Sequence, residues 1–432
     1  MALLTGAPRG TKDVTPDESY KWQYVEGILR ETAREFGFSE IRFPTFEHTE
    51  LFIRSVGDTT DVVQKEMYTF LDKGGRSVTL RPEGTASVVR SFAENALYGS
   101  GLPVKVYYIA PNFRYEKPQA GRLREHHQFG VEYFGSERPE AEAEVIGIAD
   151  TYLKRLGLTG LEVQINSIGC RQCRPGFHQK LKEYFRAHQE ELCPTCLERL
   201  ERNPLRILDC KNESCARLAA EAPVGLDFLC PDCRDHFEQV QEFLTAMGIS
   251  FTVNPQIVRG LDYYIRTVFE FVSNEIGAQG TVCGGGRYDG LVGSIGGKDA
   301  PGIGFGSGIE RLLLVMEARG VEIPRPRSCD LFVAALGEAE SFPVQKLVME
   351  LRRAGLAVER DTMGRGLKAQ MKYAGRIGTR FSCVVGSNEL EQGVIKMKDM
   401  DSGVQTDCPL EAGAILSLLQ KETKTPKENP EK

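Results

Sequence analysis

From Thr15 onward the chain switches between stretches with a helical apolar period and shorter stretches with a strand period, and this patterning lays out most of the architecture. In TPDESYKWQYVEGILRETAREFGF, Trp22, Val25, Ile28, Leu29 and Phe36 recur at helical spacing, which predicts a helix with one buried stripe. Thr15 is placed to cap it, Pro16 suits the first turn, Glu18 stands at the capping-box position, and Gly37 ends it. SEIRFPTF then alternates like a strand and breaks at Pro44, a pattern that ordinary α+β packing also produces. Further on, VKVYYIAPNFRYE and HHQFGVEYFG are strand-like, and the polar KPQAGRLRE joins them, so an antiparallel hairpin with a long loop is predicted. The period of two puts Arg114 and Glu116 on one face, and Gln128, Gly130 and Glu132 on one face of the partner strand. Polar side chains so spaced suit a floor beneath a charged ligand, and equally a solvated sheet face.

After LEVQINSIG a charged, helical, cysteine-rich stretch runs from about Gly169 to Met247, and the apolar pattern returns in FTVNPQIVRGLDYYIRTVFEFV. One domain inserted into another is the expectation. TVCGGGRYDGLVG and APGIGFGSGIERLLLVMEARG read as a glycine-alternating strand feeding an amphipathic helix. RGVEIPRPRS has the composition of a linker. Beyond it CDLFVAAL, GLAVERD and RFSCVVG alternate with helical stretches, which predicts a small α/β domain. KETKTPKENPEK is charged and expected to be disordered.

Composition narrows the class. A chain of 432 residues exceeds one core of ~100–200 residues, so two to four domains are expected. With 54 Lys and Arg against 60 Asp and Glu, it does not coat nucleic acid by charge alone. Between Leu351 and Arg380, however, Arg352, Arg353, Arg360, Arg365, Lys368, Lys372, Arg376 and Arg380 face only Glu359 and Asp361, a local basic excess. MALLTGAPRGTKD has no signal-peptide core, and no stretch approaches ~20 apolar residues, so a cytoplasmic location without a membrane partner is expected.

Eight of the 12 cysteines fall between Cys170 and Cys233. Cys170 and Cys173, Cys193 and Cys196, and Cys230 and Cys233 are CxxC couples, while Cys210 and Cys215 are spaced more widely. Two couples complete a tetrahedral site, so these thiols suit two zinc ions or stand as reduced structural cysteines, and the spacing leaves their pairing open. Arg114, Arg122, Arg124, Arg259 and Arg311 are candidates for phosphate, because a guanidinium donates two parallel hydrogen bonds. GIGFGSG offers close backbone approach but lacks the Walker ending and the dinucleotide spacing.

FRYE with the loop running to HHQFGVE resembles motif 2 of the class II aminoacyl-tRNA synthetases, and GIGFGSGIERLLL resembles motif 3 with Arg311. The helix and strand ending in RFPTFE resemble motif 1, which implies a homodimer. RGLDYYIRTVFEF and GGGRYDGL are similar to two sequences peculiar to the histidyl-tRNA synthetases, and RPEGTAS to that family's amino-acid-binding strand. The resemblance runs from APRGTKDVTPDE to KMKDMDSG. It implies an α+β fold: a class II antiparallel sheet flanked by helices, a helical cysteine-rich insertion, and a C-terminal α/β anticodon-binding domain. The implied division is a catalytic domain in two parts, 1–168 and 248–322, an insertion at 169–247, an anticodon-binding domain at 328–420 and a disordered tail at 421–432.

The resemblance implies that L-histidine and ATP, with Mg²⁺, form an adenylate, and that tRNA-His, held at acceptor stem and anticodon, then accepts the histidine. Glu83 and Thr85 would hold the α-ammonium, Arg114 and Gln128 the carboxylate, and Glu132 and Tyr264, with Tyr263 beside them, the imidazole. Arg259 would be catalytic at the α-phosphate and touch histidine as well. Arg311 and Arg122 would hold the γ-phosphate, Glu116 and Phe129 the adenine, and Arg114 lies on the ATP side too. His126 and His127 point to opposite faces, so at most one meets the site. Asp262 and Asp289 are expected to shape loops. Two other readings compete: an inactive paralogue regulating an ATP phosphoribosyltransferase, which typically loses the Arg259-type residue and the anticodon-binding domain, and an RNA-sensing module of a kinase, for which no kinase domain stands in the sequence.

Overall fold

The 16–35 stripe buries Val25 and Leu29 completely, against the same core that receives Phe129, Val131 and Tyr133 of the hairpin strand Glu125–Phe134. That core is the organising feature of the larger of two compact units, Met1–Ile323 and Pro324–Lys432, in a computed structural model that describes residues 4–424 apart from 59, 120, 211 and 276–279. An eight-stranded sheet spans the larger unit in the order Ser39–Glu40, Val104–Phe113, Glu125–Phe134, Gly302–Gly308, Thr281–Arg287, Ile265–Val272, Glu162–Ser167 and Thr252–Val253. Its six central strands pair antiparallel, and only the two-residue edge strands are parallel.

One face of the sheet carries helices. Pro16–Glu35, Pro139–Arg155, Pro231–Ala246 and Ile309–Ala318 contribute Leu29, Tyr152, Phe237 and Leu312 to a core shared with Phe129, Val131, Phe269 and Phe305. The other face is covered by Thr85–Glu94 and by Leu291 and Val292, while His126 and Gln128 on it stay half-buried.

Local details depart from the sequence expectations for identifiable reasons. Thr15 makes no side-chain cap, and Glu18 pairs with Lys12 at 2.9 Å instead of closing a capping box. The strand expected over SEIRFPTF is split: Phe46–His48 leaves the large sheet and joins Ser77–Leu80 and Tyr68–Leu71 in a small one. The strand expected to reach Glu116 stops at Phe113, so Arg114 and Glu116 lie in the connection. Pro231–Ala246, read in the sequence as part of the insertion, sends Phe237, Val240 and Leu244 into the large core. The insertion's own core is smaller and gathers Phe177, Leu181, Phe185, Leu200, Ile207 and Leu218.

In the second unit Val358–Arg360, Leu331–Ala335 and Phe381–Val385 run parallel, and Val394–Asp399 and Gln405–Pro409 extend the sheet antiparallel. Its helices Glu338–Arg353 and Ala412–Lys424 pack Val344, Val348 and Ile415 on this sheet. Of the tail expected at 421–432, 421–424 continue that last helix, and 425–432 lie outside the described residues.

Candidate active site

The second face of the large sheet is built by parity. Along Glu125–Phe134 the even positions His126, Gln128, Gly130 and Glu132 share it, and the register sets Gly304 beside Glu132 and Gly306 beside Gly130. Gly286 and Gly284 follow on the next strand, and Glu270 on the one after. These glycines supply space: a methyl group on Gly304 would stand 2.0 Å from Glu132 Oε2, and one on Gly306 2.0 Å from Gln128 Nε2. A glycine-alternating strand is therefore what lets two long polar side chains lie flat on the floor.

Glu132 is completely buried. Thr85 Oγ1 donates to its Oε1 at 2.7 Å, and the Tyr288 hydroxyl donates to its Oε2. Burial nonetheless pushes the Glu132 carboxyl up to about 8. Glu83 is also buried and also raised by burial, while its two oxygens accept the Thr85 and Ala86 amides at 2.8 Å, at the head of the helix Thr85–Glu94. Gln128 Oε1 accepts from Asn112 Nδ2 at 2.9 Å and from the Tyr108 hydroxyl at 3.3 Å, which leaves its amide nitrogen facing the cleft floor. The Tyr263 and Tyr264 rings meet at a tilt with centres 4.6 Å apart, and Tyr263 meets Tyr288 edge-on at 5.8 Å, so three phenols gather around Glu132.

Cations ring this polar pocket. Arg259 pairs with Glu270, which also accepts from Thr281 Oγ1 at 2.8 Å, and its guanidinium lies 5.9 Å from the Tyr264 ring centre. Burial works against its charge, but Glu270 and Tyr264 outweigh this and hold Arg259 more firmly protonated than usual. Arg311 donates to Thr281 O at 2.6 Å, Arg122 pairs with Glu116 at 3.0 Å, and Arg114 Nε donates to Pro82 O at 2.8 Å. The His126 ring sits among these arginines; burial first, then Arg114 and Arg311, push it down to about 3, so it is neutral. His127 turns the other way, bonds Glu310 at 3.0 Å and meets Trp22 edge-on. Its hydrogen bond to Glu310 raises its pKa.

One assignment changes. Phe129 does not face the site: its odd position turns it into the core, fully buried 5.5 Å from Tyr152 and 5.8 Å from Phe305, where no base can reach it. The planar ring on the site face among the arginines is His126. Thr85 stands beside Glu83, whose Oε2 accepts its amide, and its hydroxyl also donates to Glu132. Glu83, Arg114, Glu116, Arg122, Gln128, Glu132, Arg259, Tyr263, Tyr264 and Arg311 are brought together at this face of the sheet. Tyr288 was missed, and its signal was present: in GGGRYDG it follows the glycine strand directly, where the chain turns back over the floor. Asp289 accepts from the Gly302 amide and from Arg287 at 3.1 Å, and Asp262 from Asn203 at 3.1 Å, so both act in loops.

Residues 10–312 match the family model described as histidyl-tRNA synthetase. The chain belongs to the histidyl-tRNA synthetase family. Residues 330–420 match the anticodon binding domain model, which accounts for the second unit. A histidine–tRNA ligase of Caldanaerobacter subterraneus subsp. tengcongensis is 57% identical over 94% of this chain and 97% of its own. One of Acetivibrio thermocellus is 53% identical over 97% of this chain and all of its own. The crystal structure of apo S. aureus histidyl-tRNA synthetase superposes with a TM-score of 0.82 at 38% identity, covering 98% of this chain and 100% of that one. A Bacillus halodurans structure titled as an ATP phosphoribosyltransferase regulatory subunit/histidyl-tRNA synthetase shares the fold alone, at 22% identity, TM-score 0.60 and 89% coverage of this chain. Within this family the α+β architecture, the cysteine-bearing insertion and the C-terminal domain are all in place.

Proposed function

We propose that the cleft activates L-histidine with ATP, as its magnesium complex, and transfers the histidyl group to the 3′ end of tRNA-His. One observation carries the choice of amino acid: a buried carboxylate, Glu132, ends the cleft among Thr85, Tyr264 and Tyr288. Neutral imidazole offers one N–H and one bare nitrogen, and Glu132 accepts the first while a tyrosine hydroxyl donates to the second. A side chain without that pair leaves buried polar groups unpaired, which disfavours it by ~10⁴–10⁵.

Glu83 takes the α-ammonium, and Gln128 with Arg114 takes the carboxylate. One oxygen of that carboxylate attacks the α-phosphorus, a new P–O bond forms, and the bond to the β-phosphate oxygen breaks to release pyrophosphate. Arg259 donates to the charge that builds on the α-phosphate, while Arg311 and Arg122 hold the leaving phosphates. Glu116 and His126 take the adenine, His126 as a neutral stacking ring. The terminal ribose of tRNA then attacks the carbonyl carbon and AMP leaves, with no side-chain nucleophile required.

The exposed row Lys368, Lys372 and Arg376, four residues apart on the helix Leu367–Arg376, supports anticodon binding by the second unit. Phe46 and Phe70, 56% and 48% exposed on one face of the small sheet, support pairing of two chains there. Among the described residues no helix is long and apolar enough to cross a membrane, and the proposed place of work is the cytoplasm, with its tRNA. Histidine-dependent exchange of pyrophosphate into ATP, run without tRNA and against the other amino acids, tests the reading. Exchange with histidine alone is expected; histidine binding without exchange would turn the assignment to a regulatory paralogue.

A further inference from the structure

The eight insertion cysteines converge as two groups of four, Cys170 with Cys173, Cys230 and Cys233, and Cys193 with Cys196, Cys210 and Cys215, the sulfurs within each group all lying within 4.8 Å of one another. We propose that the chain carries two structural zinc ions, one in each four-cysteine group, and that together they brace the segment bearing Arg259 and Tyr264.

Distances decide the occupant. Four thiolates at ~2.3 Å around one tetrahedral ion stand ~3.8 Å apart, whereas a disulfide brings two sulfurs to ~2.0 Å. Cys170 and Cys173 are 3.6 Å apart, Cys170 and Cys230 4.0 Å, and Cys193 and Cys210 3.8 Å. A polynuclear iron–sulfur cluster inserts its own sulfides and needs wider spacing. The surroundings suit thiolates as well. Backbone amides of Gln172, Cys230 and Cys193 donate to the sulfurs of Cys170, Cys173 and Cys215 at 3.4, 3.2 and 3.2 Å, and Cys193 and Cys230 stand at helix N-termini. Gly169 has φ +69, and a methyl group there would meet Cys173 Cβ at 2.6 Å, so the turn into the first couple is shaped around that cysteine.

The placement gives these ions a task. The first group ties the chain entering the insertion to the chain leaving it 60 residues later. Beside it Gly169 O accepts from the Arg266 amide at 2.9 Å, and Arg174 donates to the carbonyl of Tyr264. From the second group's lobe Arg206 donates to Gly260 O at 2.8 Å and Asn203 to Asp262 at 3.1 Å. Both ions thus stand behind side chains that clamp the stretch 260–264 at the Gly260 and Tyr264 carbonyls and the Asp262 carboxylate. The insertion's own core is thin, and small cores need such staples.

The bracing rests on the proposed histidine site; the metal content does not, and the two are separable. Elemental analysis of the full chain, purified without chelators, should find about two zinc ions per chain and no iron, and cobalt exchange should give the absorption of tetrahedral cobalt thiolate. The Cys170→Ser/Cys230→Ser variant should keep one ion per chain, because both losses fall in one group. A variant retaining none would overturn the pairing, and a wild-type chain without zinc, with iron, or with eight freely titrating insertion thiols would overturn the proposal. Releasing zinc with a thiol-specific mercurial should raise the KM for histidine more than the KM for ATP; equal KM values before and after release would remove the bracing role while leaving the metal count standing.

Discussion

Replacing Glu132 by glutamine separates what the folded chain prefers from what its chemistry demands. In the unfolded chain the carboxyl titrates near 4.5, and in the folded one burial pushes it up to about 8. The folded chain therefore keeps the proton over a range where the unfolded chain has lost it. The stability tied to that proton is full below about pH 4.5 and is progressively lost as pH rises through about 8. At ~1.4 kcal/mol per pH unit the whole interval amounts to about 5 kcal/mol. Glutamine has no proton to lose. Its oxygen can accept from one neighbouring hydroxyl and its amide donate to the other, since Thr85 and Tyr288 hydroxyls both donate and accept. Urea titrations of wild type and Glu132→Gln at pH 5, 6, 7, 8 and 9 measure the difference in unfolding free energy, in which every other titrating group cancels. That difference should favour the variant increasingly with pH and level off above about 8. A bound imidazole draws the Glu132 proton off by hydrogen-bonding the charged form, and the substitution removes that charge-assisted bond, which is worth ~1.5–3 kcal/mol, so histidine-dependent exchange should fall about 10- to 100-fold in kcat/KM. A stability difference that stays flat with pH, or one that turns against the variant at pH 8, would refute the claim that the carboxylate is held against its own solvation.

Phe129→Leu should cost about 1–2 kcal/mol in urea unfolding and leave the KM for ATP within about twofold, whereas His126→Ala should leave stability nearly unchanged and raise that KM about tenfold or more, the worth of a stacked base. Arg259→His should lower the rate of adenylate formation by about 10²- to 10³-fold in rapid-quench assays while equilibrium histidine binding changes little, and unchanged turnover would remove Arg259 from its assigned role. Arg287→Ala should destabilise by about 3–5 kcal/mol in the same titrations, because it strands Glu142, buried with Arg287 and His236, without its main partner.

The face of the hairpin was legible because a strand offers only two choices, and the run Gln128, Gly130, Glu132 made one of them polar. Carried one step further, the same parity separates the two errors at this strand. Phe129, assigned to the adenine through the family resemblance, occupies an odd position and belongs to the core with Val131 and Tyr133, while His126 occupies an even one and belongs to the site. Arg114 and Glu116 escaped the rule because the strand ends at Phe113 and a connection has no parity. What no local pattern carries is the meeting of distant segments. Tyr288 reaches Glu132 across 156 positions, and Cys170 finds Cys230 only after an entire lobe has folded between them. The glycines link the two levels. GIGFGSG, read alone, offers only close backbone approach, but in register with Glu132 and Gln128 its glycines are strand positions kept bare so that longer side chains from the next strand can lie across them. Gly304 is therefore as necessary to Glu132 as Thr85 is, although it supplies no group to the chemistry.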